Sequence, residues 1–158
     1  MELLTDQETF KRLVVAMIAG ALLGVERERA DKPAGIRTYM LVVEGAALFM
    51  LCALLLSQQF SAEDRVSDPG RIASTVIQGI GFIAAGVIIT TGSCKRVVGL
   101  TTAAGIWVAA AVGLLIGAGF ITLALGATVL TIISLIALRE LESRMNLRKS
   151  SHGEPNSS

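Results

Sequence analysis

Between Arg96 and Arg139 the chain carries no charged side chain. That silence constrains the fold more than any other feature. A helix on a soluble core keeps a polar face, whereas a bilayer's hydrocarbon core, roughly 30 Å thick, asks for about 20 apolar residues per crossing. Residues 97–138 are too many for one crossing, and the glycine-rich GLLIGAG at 113–119 divides them into two with a very tight turn between. The pattern recurs upstream: residues 72–92 hold no charge, and residues 38–57 hold only Glu44. Only 17% of the chain is charged, against about a quarter in soluble domains. The sequence therefore predicts an all-α polytopic integral membrane bundle of about five transmembrane helices.

The expected spans are 6–25, 33–57, 69–91, 99–117 and 120–140, within a transmembrane domain of residues 1–147. The first has the shortest apolar core. Its start, Thr5-Asp-Gln-Glu8, reads as a capping box in which hydroxyl and carboxylate satisfy each other's backbone. Lys11 and Arg12 would snorkel to the interface. A cleaved signal peptide would share the basic start, but GALLGVERER offers no small-residue cleavage pattern. Pro33 fits the opening of the second helix and Asp68-Pro69 caps the third, which stops at Gly92. The fifth helix should run on beyond the membrane over 139–145. Residues 148–158 read as a disordered polar tail.

Five spans put alternate connections on opposite sides. One side gathers Arg27, Arg29, Lys32, Arg37, Lys95, Arg96, Arg139, Arg144, Arg148 and Lys149, ten cations; the other holds four, Lys11, Arg12, Arg65 and Arg71. The positive-inside rule places the ten in the cytoplasm, with the amino terminus outside and the carboxyl terminus inside. The alternation Glu26-Arg27-Glu28-Arg29 exceeds what orientation needs, because glutamates add nothing to it.

These residues also carry a resemblance. GALLGVERERADKPAGIRTYMLVVEGAALFML, QGIGFIAAGVII (78–89) and GLTTAAGIWVAAAVGLLIGAG (99–119) resemble the three characteristic blocks of the MgtC/SapB family of bacterial membrane proteins, over roughly residues 12–140. The resemblance implies a protein of the bacterial cytoplasmic membrane linked to growth under magnesium limitation and to survival inside host cells. It implies a regulator acting on other membrane complexes, the ATP synthase being one proposed target. Two departures stand out: the chain ends before the soluble carboxy-terminal domain many members carry, and Glu44 stands where the family pattern is usually uncharged.

Chemistry in the residues themselves is sparse. Small residues recur every fourth position at Ala16, Gly20 and Gly24, and again at Gly105, Ala109, Gly113 and Gly117, faces that let helices approach closely in lipid. They pack the bundle itself, or receive a partner's transmembrane helix or a second copy of the chain as a homo-oligomer. Glu44, two turns from Arg37 on one helix face, suggests either a cytoplasmic pocket or a protonated carboxyl bonded to Thr101 or Gly20; an intramembrane carboxylate is a functional candidate by default. Gln78, Ser74 and Thr75 read as interhelical hydrogen-bond partners. Glu26, Arg27 and Arg37 are expected to form one ion-paired cluster with Arg37, whose fork bridges two acceptors, at its centre. With Thr38, Thr101 and Thr102 these complete the candidate functional residues.

No catalytic constellation is legible, since the single His152 lies in the tail and Cys52 and Cys94 form no C-x-x-C. Glu26, Glu28 and Asp31 are acidic enough for Mg2+, but four interleaved cations make ion pairing their expected fate. The chain is thus expected to be neither an enzyme nor a cofactor, metal or nucleic-acid binder. The alternative class is a small Mg2+ or proton transporter or channel with Glu44 in its pathway.

Overall fold

The computed structural model describes residues 4–60, 68–91 and 96–150. Five helices run in the order α1 (Asp6–Arg29), α2 (Ile36–Phe60), α3 (Pro69–Ala85), α4 (Leu100–Gly117) and α5 (Ile121–Ser150), with a hairpin of β1 (Ile89–Thr91) and β2 (Arg96–Val98) between α3 and α4. Three of them, α2, α4 and α5, are long and apolar enough to cross a membrane. α1 carries charges near both ends, and α3 is 17 residues long.

Local chemistry sets each boundary. Thr5 accepts the Glu8 N–H at 3.4 Å, but the Glu8 carboxylate turns to Arg12 and leaves the capping box half formed. α1 does not stop at residue 25 as expected; Glu and Arg are good helix formers, and the helix runs through Glu26-Arg27-Glu28-Arg29. It closes where Asp31 takes φ +52°, its N–H bonding Glu28 O at 3.1 Å and Lys32 N–H bonding Arg27 O at 3.0 Å. α4 ends on the same left-handed motif: Gly119 at φ +94°, with Gly119 N–H on Ile116 O and Phe120 N–H on Leu115 O. Two residues later α5 begins, so the break expected at 113–119 is real.

Other boundaries differ from expectation. Pro33 lies in the connection, and α2 opens at Ile36, whose N–H is accepted by the Glu28 carboxylate at 3.1 Å. Asp68 caps α3 through the Gly70 N–H at 2.8 Å, as expected. However, α3 ends at Ala85 and does not continue to 91. Residues 87–91 are all β-branched, stiff at χ1 and suited to a pleated strand, and Ile89, Thr90 and Thr91 pair with Val98, Val97 and Arg96. α5 continues to Ser150, three residues into the expected tail, helped by an Arg144–Glu140 pair at 2.9 Å. Cys94, Lys95, Arg65 and residues 151–158, His152 among them, lie outside the described residues.

α2 is the spine of the bundle, held between α1 and α4. A methyl on Gly20 would meet Met40 Cα at 2.7 Å, and one on Gly24 would strike Ile36 Cα, so α1 runs antiparallel to α2. On the other flank a methyl on Gly113 would strike Val43 O, and one on Gly117 would meet Ala47 O at 2.7 Å, so α4 runs parallel to α2. Gly20 and Gly24 of one small-residue stripe and Gly113 and Gly117 of the other are thus spent inside the chain, on close contact with the α2 backbone. The core between them is Ala16, Ala19, Leu23, Tyr39, Val43, Ala47, Ile106, Ala109 and Ala110. α5 lies at the periphery: 11% of its span is buried, against 61% for α4.

Candidate functional site

The seam between α1 and α4 is held at both ends by an arginine of α1. Arg12 and Arg27 stand fifteen residues apart, as do the groups they reach on α4, Gly117 and Thr102. At 1.5 Å per residue the two clamps are about 22 Å apart. At one end Arg12 Nη1 donates to the Gly117 carbonyl at 2.9 Å while its Nε holds Glu8 at 3.4 Å. Arg12 is therefore half-buried against a helix end, and the expected snorkelling describes only part of what it does.

The other end is basic, with Arg27, Arg29, Lys32, Arg37 and Arg139 near it. There Arg27 Nη2 donates to Thr102 Oγ1 at 2.9 Å and Nη1 to Glu26 Oε2 at 3.4 Å. Arg27 is 3% exposed, Glu26 8% and Thr102 1%. Tyr39, the only tyrosine, reaches across from α2 and donates its hydroxyl to the Thr102 carbonyl at 3.4 Å. Its ring fits because position 105 is glycine; a methyl there would strike the Tyr39 hydroxyl. Three helices meet on one threonine.

Two atoms in this cluster have no partner, Arg27 Nε and Glu26 Oε1. Native interiors rarely leave such groups open, because a desolvated donor or acceptor without a bond is costly. Both residues line a cavity of about 360 Å³, walled also by Lys32, Gly99, Thr101, Thr102 and Arg139. The cavity has polar walls at the helix ends and an apolar back formed by Leu135 and Leu138 of α5.

The structure brings Glu26, Arg27, Thr101 and Thr102 together and leaves the other candidates elsewhere. Arg37 is not the centre of the cluster: it is exposed and makes no ion pair among the described residues, and the central cation is Arg27. The reason is the extension of α1, which carries Arg27 inward against α4, while Arg37 lies in the first turn of α2 on another face. Arg37 and Thr38 instead edge an apolar groove between α2 and α3, lined by Leu41, Val42, Gly45 and Phe49. Glu44 does not line that groove. It is half-buried and bonds neither Thr101 nor Gly20, so neither expected arrangement forms. Gln78 is exposed, Ser74 bonds Arg71 O and Thr75 bonds Ile72 O, all on their own helix rather than across helices. The three acidic groups weighed for Mg2+ part company: Glu26 pairs with Arg27, Glu28 caps α2, and Asp31 takes the left-handed turn. Among the described residues no three His, Cys, Asp or Glu side chains converge as metal ligands.

Three residues of the site do not stand out in the sequence: Lys32 and Arg139 read only as topology charges, and Tyr39 only as part of an apolar span. The usable signal was the lone tyrosine beside a charged helix end.

Comparisons with known proteins fit this architecture. The chain is 43% identical to Protein MgtC of Salmonella typhimurium over 143 residues, 90% of this chain and 58% of that protein. It is 42% identical over 135 residues to YhiD of Escherichia coli, provisionally named a magnesium transporter, covering 85% of this chain and 62% of that protein. An uncharacterized Synechocystis protein is 40% identical over 139 residues, 88% of this chain and 56% of that protein. The chain thus spans little more than half the length of these relatives. No solved structure matches it. The MgtC family profile matches residues 13–144, and the chain belongs to the MgtC family.

Proposed function

We propose that this protein is a non-enzymatic regulator of the bacterial cytoplasmic membrane, acting on other membrane complexes during adaptation to magnesium limitation. The observation that supports regulation over conduction is the middle of the bundle. There α1, α2 and α4 touch backbone to backbone at Gly20, Gly24, Gly113 and Gly117, which leaves no room along the seam for a hydrated ion. What the bundle offers is its basic end, with the buried Glu26–Arg27–Thr102 node behind it. The distribution of cations, ten against four, supports a cytoplasmic position for that end. A partner complex, the ATP synthase among them by the family resemblance, would meet the protein there or along α5.

A second reading is a transporter. It draws on the name of YhiD and on Glu44, the one carboxylate well inside a span, half-buried and without a bond. Purified protein in liposomes separates the two. Mg2+ or proton flux abolished by Glu44→Gln establishes transport; silence in that assay, with a complex captured by crosslinking in intact membranes, establishes regulation.

A further inference from the structure

The cavity at the basic end holds more positive charge than its buried pair can use. Glu26 and Arg27 balance each other, whereas Lys32 and Arg139 add two cations with no further carboxylate in the lining. The amino terminus of α4, an 18-residue helix, opens into the same space: Gly99, Leu100, Thr101 and Thr102 all line it. Gly99 supplies no side-chain cap, so the first N–H groups of α4 and the positive end of its dipole face the cavity unanswered. Such an end favours an anion. The independent observation is the open pair of atoms, Arg27 Nε and Glu26 Oε1, on side chains more than nine-tenths buried.

A donor and an acceptor left open in one cationic lining ask for a ligand that offers both. We infer that this cavity binds a phosphate group that keeps a hydroxyl proton, as inorganic phosphate or as the monoester headgroup of a lipid. Its charged oxygens accept from Arg27, Lys32, Arg139 and the α4 amides, and its P–OH donates to Glu26. Sulfate at neutral pH carries no proton and sets an acceptor against the Glu26 acceptor. A phosphodiester lacks the P–OH as well. A metal cation in the same place would face three positive side chains. The inference is independent of the choice between regulator and transporter.

The test uses the full chain, purified in detergent and titrated calorimetrically with inorganic phosphate and with sulfate. A parallel arm uses phosphatidylcholine nanodiscs with and without phosphatidic acid. Phosphate is expected to bind at least about tenfold more tightly than sulfate, one hydrogen bond to a charged group being worth about that factor. Lys32→Gln and Arg139→Gln, both at exposed positions, should each weaken phosphate about tenfold. Glu26→Gln should bring the two anions together. Binding of phosphatidic acid alone, lost in Lys32→Gln, upholds the inference with lipid as the source. Equal affinity for sulfate and phosphate in the wild-type chain overturns it without any variant having to fold. So does indifference to both rim substitutions, or no binding in either arm.

Discussion

Arg12 and Arg27 do the same mechanical job at opposite ends of one seam, yet their electrostatic settings are opposed. Arg12 meets the carboxyl end of α4, where the exposed carbonyls and the negative pole of the helix welcome a cation. Among the described residues no buried side-chain atom there is left unpaired. Arg27 meets the amino end of α4, where the pole is positive and a cation is repelled. The last turn of its own helix favours it, and Glu26 offsets it, but Lys32 and Arg139 add to the repulsion. A clamp needed only for packing would be built like Arg12. The expensive version is buried, adjacent to a cavity and has two atoms without a partner, the features on which the inferred anion site rests.

Substitutions sharpen that contrast. Arg27→Met should have the largest effect, because it strands the Glu26 carboxylate in a buried site. Breaking a buried pair costs about 3–5 kcal/mol; thermal unfolding in detergent reads it out. The stretch between the clamps comes next. Gly113→Ala drives a methyl into Val43 O and to 2.7 Å from Ala46 Cβ, an overpacking of about 1–3 kcal/mol. Gly79→Ala, where nothing lies within 4 Å, should instead be neutral or gain up to about 1 kcal/mol from helix propensity. The same unfolding assay compares the two, and equal losses would mean the helices do not touch as described. Arg12→Gln removes a half-buried cap and should cost about 0.5–1.5 kcal/mol. Arg37→Lys, on an exposed side chain without an ion pair, should stay within about 0.5 kcal/mol. A large loss there would restore Arg37 to the cluster.

The helices are readable in the sequence and the cluster only in part: the Glu26–Arg27 pair is expected, but with Arg37 at its centre, where the structure has Thr102. Runs free of charge pointed to the bundle, and the glycine break at 113–119, the Asp68 cap and the two small-residue stripes all stand where they were expected. Those features rest on local chemistry or on periodicity. The charged segment was harder, because a run of alternating charge beside a membrane span looks like a loop. On a helix, neighbours such as Glu26 and Arg27 do not face each other; their pairing depends on how α1 lies against α4, which no spacing in the sequence encodes. The same holds for Arg139, which is more than a hundred residues from Glu26 and shares its cavity only through the return of α5. Residues 87–91 were misread for a different reason. Five β-branched residues in a row are apolar enough for a span, and their stiffness decides for a strand.

If the basic end is the functional site and the opposite clamp a structural one, the two ends respond differently to substitution. Thr102→Val keeps the side chain's shape and removes the hydroxyl that Arg27 holds; Arg12→Gln removes the other clamp. Each variant is expressed, at equal membrane abundance, in a bacterium lacking its own copy, and growth in low magnesium is measured. Thr102→Val is expected to lose most of the growth support while Arg12→Gln retains it. Equal loss in both, or loss in Arg12→Gln alone, would contradict that assignment.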